Sequence, residues 1–400
     1  MNNNDNIYYN IRNILANRPH GFPSTKENIE IRILKKLFTY DQAKLFVKIH
    51  KDSIFLTPIK PNDKKLQSKL KLSEKKIFEK LEAMALDGLL IRQKYDEKPD
   101  EPFYFIPSFI IGLYEFSIKK IDKDLANLYH QYLEHIAQWM NQAKTKQLRI
   151  IPVKNSLTNR NNIHPYNKID ELIKGHYLIA VAPCICAKEK EALGGNCKAP
   201  IERCITFDWW AEHYIDTGLG RKISEIELND ILTMAHENGL VISPANMKET
   251  IGFCLCCDCC CSWLKILNFD PFPSSQCQTS YTAVINGEKC THCDICINRC
   301  NMKAIDNTNH NYHILNERCI GCGLCVTTCP NQAINLIENN SKISLPKDPT
   351  DLFLKIYFEQ AKKGNYNKGN IGNFLLLYKV LFIRLLYTIF LYFKDMLKKS

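Results

Sequence analysis

Two copies of one cysteine frame, 29 residues apart, constrain this chain more than any other feature. "CTHCDICINRCNMKAI" starts at Cys290 and "CIGCGLCVTTCPNQAI" starts at Cys319. Each reads C-x2-C-x2-C-x3-C and closes on Ala-Ile. The chain has 19 cysteines, all between Cys184 and Cys329. A disulfide-stapled secreted protein is shorter, spreads its cysteines and follows a signal peptide. Here the N-terminus, "MNNNDNIYYNIRNILANRPH", is polar and has no apolar signal core. The expectation is a reducing cytosol and thiolates that hold metal.

The spacing has a geometric reading. Three cysteines on a tight loop reach three corners of one [4Fe–4S] cube, and the fourth opens a short helix that points into the partner loop's cube. So Cys290, Cys293, Cys296 and Cys329 are expected to hold one cluster, and Cys319, Cys322, Cys325 and Cys300 the other. Residues 281–338 resemble bacterial two-cluster ferredoxins. One departure is clear: the proline after the fourth cysteine is kept as Pro330 but is Asn301 in the first copy. This changes the local backbone and removes no ligand. "KAIDNTNHNYHILN" reads as the small covering sheet, with His310 and His313 in its hairpin and not among the ligands. Neither loop offers a base, a nucleophile or an open iron position, so this part is expected to pass single electrons.

A second cysteine field lies upstream. "CICAKEKEALGGNCKAPIERC" carries Cys184, Cys186, Cys197 and Cys204. "CLCCDCCC" carries Cys254, Cys256, Cys257, Cys259, Cys260 and Cys261. Adjacent cysteines make strained disulfides. The helical stretch between the two groups, ending at a Gly turn, is expected to fold the chain back and bring them together. Ten thiols exceed the needs of one zinc site. A further iron–sulfur cluster, a cluster plus zinc, or a thiol redox pair all remain open, since thiolates select iron–sulfur, zinc or copper(I). Cys277 stands alone and reads as a buried residue. Arg221 is a candidate counter-charge for a cluster, or a helix cap.

These motifs resemble a family of anaerobe 4Fe–4S dicluster ferredoxin-domain proteins. The family's motifs are C-I-C-R, a C-x6-C with Pro and Glu, G-x-G-R, a C-N-C-C-x-C-C-C run and a ferredoxin pair. Here they stand as "CICA", "CKAPIERC", "GLGR" (Gly218 to Arg221), "CLCCDCCC" and the repeat. The resemblance spans most of residues 25–338 and includes the "YFIPSFIIGLYEF" segment. Ala187 stands where the family has arginine, and Leu255 where it has asparagine. The resemblance implies iron–sulfur binding and says little about substrate.

The N-terminal part reads as helix, turn, helix and hairpin. Apolar spacing predicts two helices over about 27–50, a third from the N-cap Ser73 to Gly88, then strands at "LLIRQK" and "FYFI". This is a winged-helix pattern. Residues 60–80 hold eight lysines, enough for phosphate contacts, but little of the Arg, Asn and Gln that reads bases. Residues 1–150 carry 26 Lys+Arg against 18 Asp+Glu, and the chain's net charge is +11. That balance favours acidic partners. A long amphipathic helix is predicted over 121–146, bearing His130 and His135, with short strands at "RIIPV" and "YLIAVAP".

From Phe374 to Phe393 there are 14 Leu, Ile, Val or Phe residues, interrupted by Lys379 and Arg384. The apolar gain and the cost of the two cations nearly cancel. A spanning helix, an interfacial helix and a docked helix are all open.

The expected fold class is α+β. Its units are a loose N-terminus (1–25), a winged-helix-like domain (26–120), a helical and cysteine-rich α/β central domain (121–275), a two-cluster ferredoxin domain (281–338), a basic linker (339–370) and a hydrophobic helix (371–396). The expected function is electron transfer through two [4Fe–4S] clusters, with a further iron–sulfur, zinc or thiol centre. The partners are redox proteins, with a membrane surface reached through the C-terminal helix as an alternative. The expected location is cytoplasmic or membrane-peripheral. The rivals are a redox-sensing winged-helix regulator that binds DNA and an oxidoreductase with a catalytic cluster in the central domain. No Walker or Rossmann loop is present, so a nucleotide would need a partner subunit.

Overall fold

The computed structural model describes residues 5–50, 57–95, 98–157, 167–277, 279–308, 312–339 and 344–364. The predicted hydrophobic helix at 371–396 and His310 lie outside them. Among the described residues no helix is long and apolar enough to cross a membrane.

The N-terminal region is helical. Helices span Asn6–Ala16, Ile29–Leu37, Tyr40–His50, Lys64–Leu70 and Glu74–Leu86. The first corrects the expectation of a loose N-terminus. Its polar composition hides an i, i+4 pair, Ile11 and Leu15, both fully buried. Ser73 caps the last helix by accepting from the Lys76 N–H at 3.4 Å. Strands β1 (Ile91–Tyr95) and β2 (Lys98–Phe105) then pair antiparallel. The long helix is Lys123–Gln142, capped by Asp122, with Leu125, Leu128, Tyr132 and Ile136 buried.

The centre is a five-stranded sheet. Its strands are β3 (Ile179–Pro183), β4 (Glu202–Phe207), β5 (Arg221–Lys222), β6 (Val241–Pro244) and β7 (Gly252–Cys256). The order is β5-β3-β4-β7-β6, and every neighbouring pair is antiparallel. Gly252 has φ +153, and a Cβ there would stand 2.2 Å from the Ile205 carbonyl oxygen, so the β4–β7 pairing requires glycine. "RIIPV" forms no strand of its own. It and the preceding Leu148 meet the sheet edge through single bridges, Ile151 to Ile242 and Leu148 to Ala245, and the ladder ends where the Val153 N–H turns to the Cys322 carbonyl at 2.9 Å.

The following segment pairs β8 (Tyr281–Ile285) with β11 (Ile334–Glu338), and β9 (Ile305–Asp306) with β10 (His313–Ile314). Helices Ile295–Arg299 and Leu324–Thr328 lie between. The expected basic linker carries a helix, Pro349–Lys362, with Leu352, Leu354, Ile356 and Tyr357 buried. Glu359 on that helix accepts from the N–H and hydroxyl of Thr145, both at 2.7 Å. Its lysines masked an amphipathic pattern. One buried apolar cluster runs from Tyr8 to Ile334, so the successive segments share a core.

Candidate metal centres

The two cysteine loops of the repeat have matching backbones. Positive φ recurs at His292 and Gly321, at Asp294 and Gly323, and at Lys303 and Gln332, each pair 29 residues apart. The short helix starts at equivalent places in both, Ile295 and Leu324. Ala304 donates its N–H to Cys300 Sγ at 3.2 Å, and Ala333 donates to Cys329 Sγ at 3.2 Å. Cys300 lines one cavity together with Cys319, Cys322 and Cys325, walled by Ala283, Met302 and Ile320. Those residues fit a cluster: four thiols, apolar walls, and an N–H from Ala283 on Cys319 Sγ at 3.4 Å. Gly321 lies close under it, where a Cβ would meet the Tyr281 carbonyl at 2.3 Å. In the other loop Cys290 and Cys293 lie near enough to Cys296 to act on its charge. His313 pairs with Asp306 at 3.5 Å.

The sheet joins the two upstream groups. Ala182, Cys204, Cys254 and Ser243 stand opposite one another across β3, β4, β7 and β6. Strand alternation sends Val181, Ile205, Phe253, Leu255 and Ile242 to the other face, into the apolar core. Leu255 is therefore a core residue, on the opposite face of β7 from Cys254 and Cys256. Ala187 is likewise buried in the core, on helix Ile185–Ala192.

The ten thiols fall into two sets. Cys197, Cys257, Cys259 and Cys260 bring their four sulfurs within 4.8 Å of one another. The other six, Cys184, Cys186, Cys204, Cys254, Cys256 and Cys261, line a cavity of about 140 Å³. Their thiols touch in a chain: Cys184 to Cys186, Cys186 to Cys261, Cys261 to Cys256, Cys256 to Cys254 and Cys254 to Cys204.

Arg203 stands between the sets. It is 1% exposed. Its Nη2 donates to Cys260 Sγ at 3.0 Å and to Cys197 Sγ at 3.3 Å. Among the described residues its Nε and Nη1 have no partner, and the residue lines the six-thiol cavity. Burial alone would lower its pKa, but Cys184, Cys257, Cys260 and Cys197 more than reverse that and hold it charged. Gln147, Thr206, Ser243 and Trp263 also line this cavity, and each has a buried polar side-chain atom without a partner among the described residues. Buried polar groups are nearly always satisfied, so a wall with this many orphans has the character of a ligand site.

A polar chain leads to Cys186. The Tyr114 hydroxyl bonds Glu189 Oε2 at 2.6 Å and Ser262 Oγ at 3.1 Å, and lies 3.6 Å from Cys186 Sγ. Burial, and to a lesser degree the Cys186 thiol, push Glu189 up to about 7, against the pull of the Tyr114 bond. Burial pushes Glu115, on the same cavity wall, up to about 8.

Arg221, the sequence's candidate counter-charge, is on the surface. It pairs with Glu202 at 2.7 Å and Glu227 at 2.6 Å. The cation at the thiols is Arg203. Its place beside Cys204 in "IERC" was the available signal. Cys277 is fully buried and its thiol is pushed up to about 12 by burial.

A family model described as a 4Fe-4S dicluster domain matches residues 283–336. No curated protein and no solved structure matches the chain. The matched segment makes this an iron–sulfur protein, and electron transfer is the chemistry such a domain brings.

Proposed function

We propose that the chain moves electrons through two [4Fe–4S] clusters to a third, cysteine-held iron–sulfur centre in the six-thiol cavity. Cys290, Cys293, Cys296 and Cys329 hold the first cluster, and Cys319, Cys322, Cys325 and Cys300 the second. Clusters, when bound, supply one-electron steps at low potential. The observation that carries the reading is the seam between the two regions. The Asp258 N–H, inside the thiol run, donates to Asn301 Oδ1 at 2.9 Å, next to Cys300. Arg299 donates to the Glu237 and His236 carbonyls, and the His236 ring contacts Thr327 Oγ1 at 2.8 Å.

The six cavity thiols are not gathered around one point as the set of four is, which suits a polynuclear cluster better than a single ion. Arg203 offsets the anionic charge, and the Tyr114, Glu189 and Ser262 chain can hold or move a proton at Cys186. Burial would disfavour the extra negative charge of a reduced group, so a proton taken up with the electron would leave the net charge unchanged.

The N-terminal helices and hairpin are read as a winged-helix-like docking module for a redox partner. Arg92 on β1 is bound to Glu82 at 3.0 Å and to Asp216 at 2.5 Å, and its N–H bonds His213. This ties the hairpin to the central sheet's helix Asp208–Asp216, which disfavours the DNA-binding reading, where a wing needs to be free.

Iron and acid-labile sulfide per chain, measured after anaerobic purification, test the proposal. Two cubane clusters account for about eight iron. The expected iron and sulfide contents both exceed that, and Cys186→Ser with Cys254→Ser returns sulfide to about eight. Wild type at about eight iron, with a reversible two-electron thiol titration, would replace the third cluster by a disulfide pair.

A further inference from the structure

We infer that Cys197, Cys257, Cys259 and Cys260 form a separate site for one tetrahedral thiophilic metal ion, zinc or iron, without bridging sulfide. This stands apart from the proposed third cluster and does not depend on it.

The distances carry the inference. Cys257 Sγ lies 3.0 Å from Cys260 Sγ and 3.4 Å from Cys259 Sγ. Cys197 Sγ lies 3.5 Å from Cys259, 3.8 Å from Cys257 and 3.8 Å from Cys260. A tetrahedron's edge is about 1.6 times its centre-to-corner length, so four sulfurs at the usual zinc–sulfur distance of about 2.3 Å stand about 3.8 Å apart. Three of the five distances lie within about 0.3 Å of that value, and the two shorter ones, from Cys257 to Cys260 and to Cys259, would open by about 0.8 and about 0.4 Å. A cubane puts its irons at separate corners and spreads its thiolates wider. The ferredoxin cysteines do not form such a compact set among the described residues.

The local chemistry agrees. Thiolate sulfur in a tetrahedral set selects zinc or iron. Four thiolates around a divalent ion leave a net charge of minus two, which Arg203 halves through its bonds to Cys197 and Cys260. The Cys260 N–H adds a bond to Cys257 Sγ. Cys257 and Cys260 are buried, Cys197 is half-buried and Cys259 is exposed, so an ion can enter from solvent. Cys197 follows Gly194 and Gly195 in the loop after helix Ile185–Ala192. An ion there fastens that loop to the thiol run.

The test is metal and sulfide content of the full chain, purified without oxygen, against Cys259→Ser and Cys197→Ser. Cys259 is exposed, so its change leaves core packing alone. The expected result is loss of one zinc, or of one iron, with acid-labile sulfide unchanged. Zinc leaves a colourless site. Iron gives a sulfide-free thiolate charge-transfer band and a high-spin ferric signal. Unchanged metal in both variants overturns the inference. So does loss of iron together with sulfide in steps of several atoms, which would make these cysteines cluster ligands. Should the variants fail to fold, cobalt(II) exchanged into the wild-type holoprotein must give the visible bands of a tetrahedral tetrathiolate, and their absence is equally decisive against it.

Discussion

Asn301 accepts the Asp258 N–H at 2.9 Å and donates from Nδ2 to the Gly239 carbonyl at 2.9 Å. A single side chain thus ties the residue after Cys300 to the thiol run and to the turn before β6. Proline at 301, as at Pro330, could make neither bond. The break in the repeat is explained by this seam. Asn301→Ala should cost about 1–3 kcal/mol for the two bonds and leave all cysteine ligands in place. Anaerobic denaturant unfolding should show that loss at unchanged iron content, together with slower re-equilibration of electrons between the ferredoxin half and the central centre. Unchanged stability would mean that the seam is held elsewhere.

The cavity shared by Cys300, Cys319, Cys322 and Cys325 predicts crossed ligation. Cys300→Ser should remove the same cluster signal as Cys325→Ser and spare the one lost in Cys290→Ser. Paramagnetic resonance of the reduced variants reads this directly. If Cys300→Ser matched Cys290→Ser instead, each loop would hold its own fourth ligand.

Arg203 is the buried cation at ten thiols, and its loss should be felt in both central sites. Arg203→Lys keeps the charge but not the planar fork, and Arg203→Met keeps neither. Central metal content should fall in the order wild type, Lys, Met. With the cation gone, adding an electron nearby is harder, so the potential of the cavity's centre should drop by on the order of 60 mV, a tenfold change for one electron. Redox titration of the two variants checks the order and the sign.

Acid should destabilise the chain through His213. It is fully buried among Phe116, Trp210 and Tyr214, and its Nδ1 accepts the Arg92 N–H at 3.2 Å. Burial first, and the Arg92 charge second, push its pKa down from 6.5 to about 3. The unfolded chain takes up the proton that the folded state refuses, so the contribution is complete above pH 6.5 and is lost as pH falls towards about 3. His213→Gln keeps an acceptor for Arg92 and removes the titration. Its stability against pH should be flatter over that window. His20, also buried and pushed down to about 3, keeps its own share of the slope.

Much of the candidate chemistry was legible in one dimension because cubane ligation is local. Three of four ligands sit on one loop, and their spacing is the geometry, so Cys290 to Cys296 and Cys319 to Cys325 declare themselves. The long helix, the Ser73 cap of the helix before the hairpin, and strand β3 running into Cys184 followed from periodicity and capping in the same way. The N-terminal helix Asn6–Ala16 and the helix Pro349–Lys362 did not, since polar and basic residues diluted their apolar stripes; only docking made them visible, the first on the large core and the second on a smaller cluster with Ala143, Ala245 and Met247.

The sequence by itself determined that this is a thiolate-rich iron–sulfur chain with a twofold cysteine frame, because ligand spacing along the backbone is a local property. Only the tertiary structure decided how the other ten cysteines divide. Cys197 joins Cys257, Cys259 and Cys260 across some 60 residues, while Cys204 meets Cys254 across the β4–β7 pairing. Sheet register sorts thiols of one dense run onto different faces and ends of the fold. It also chose Arg203 over Arg221 as their cation, since a charge's worth depends on what it is buried against.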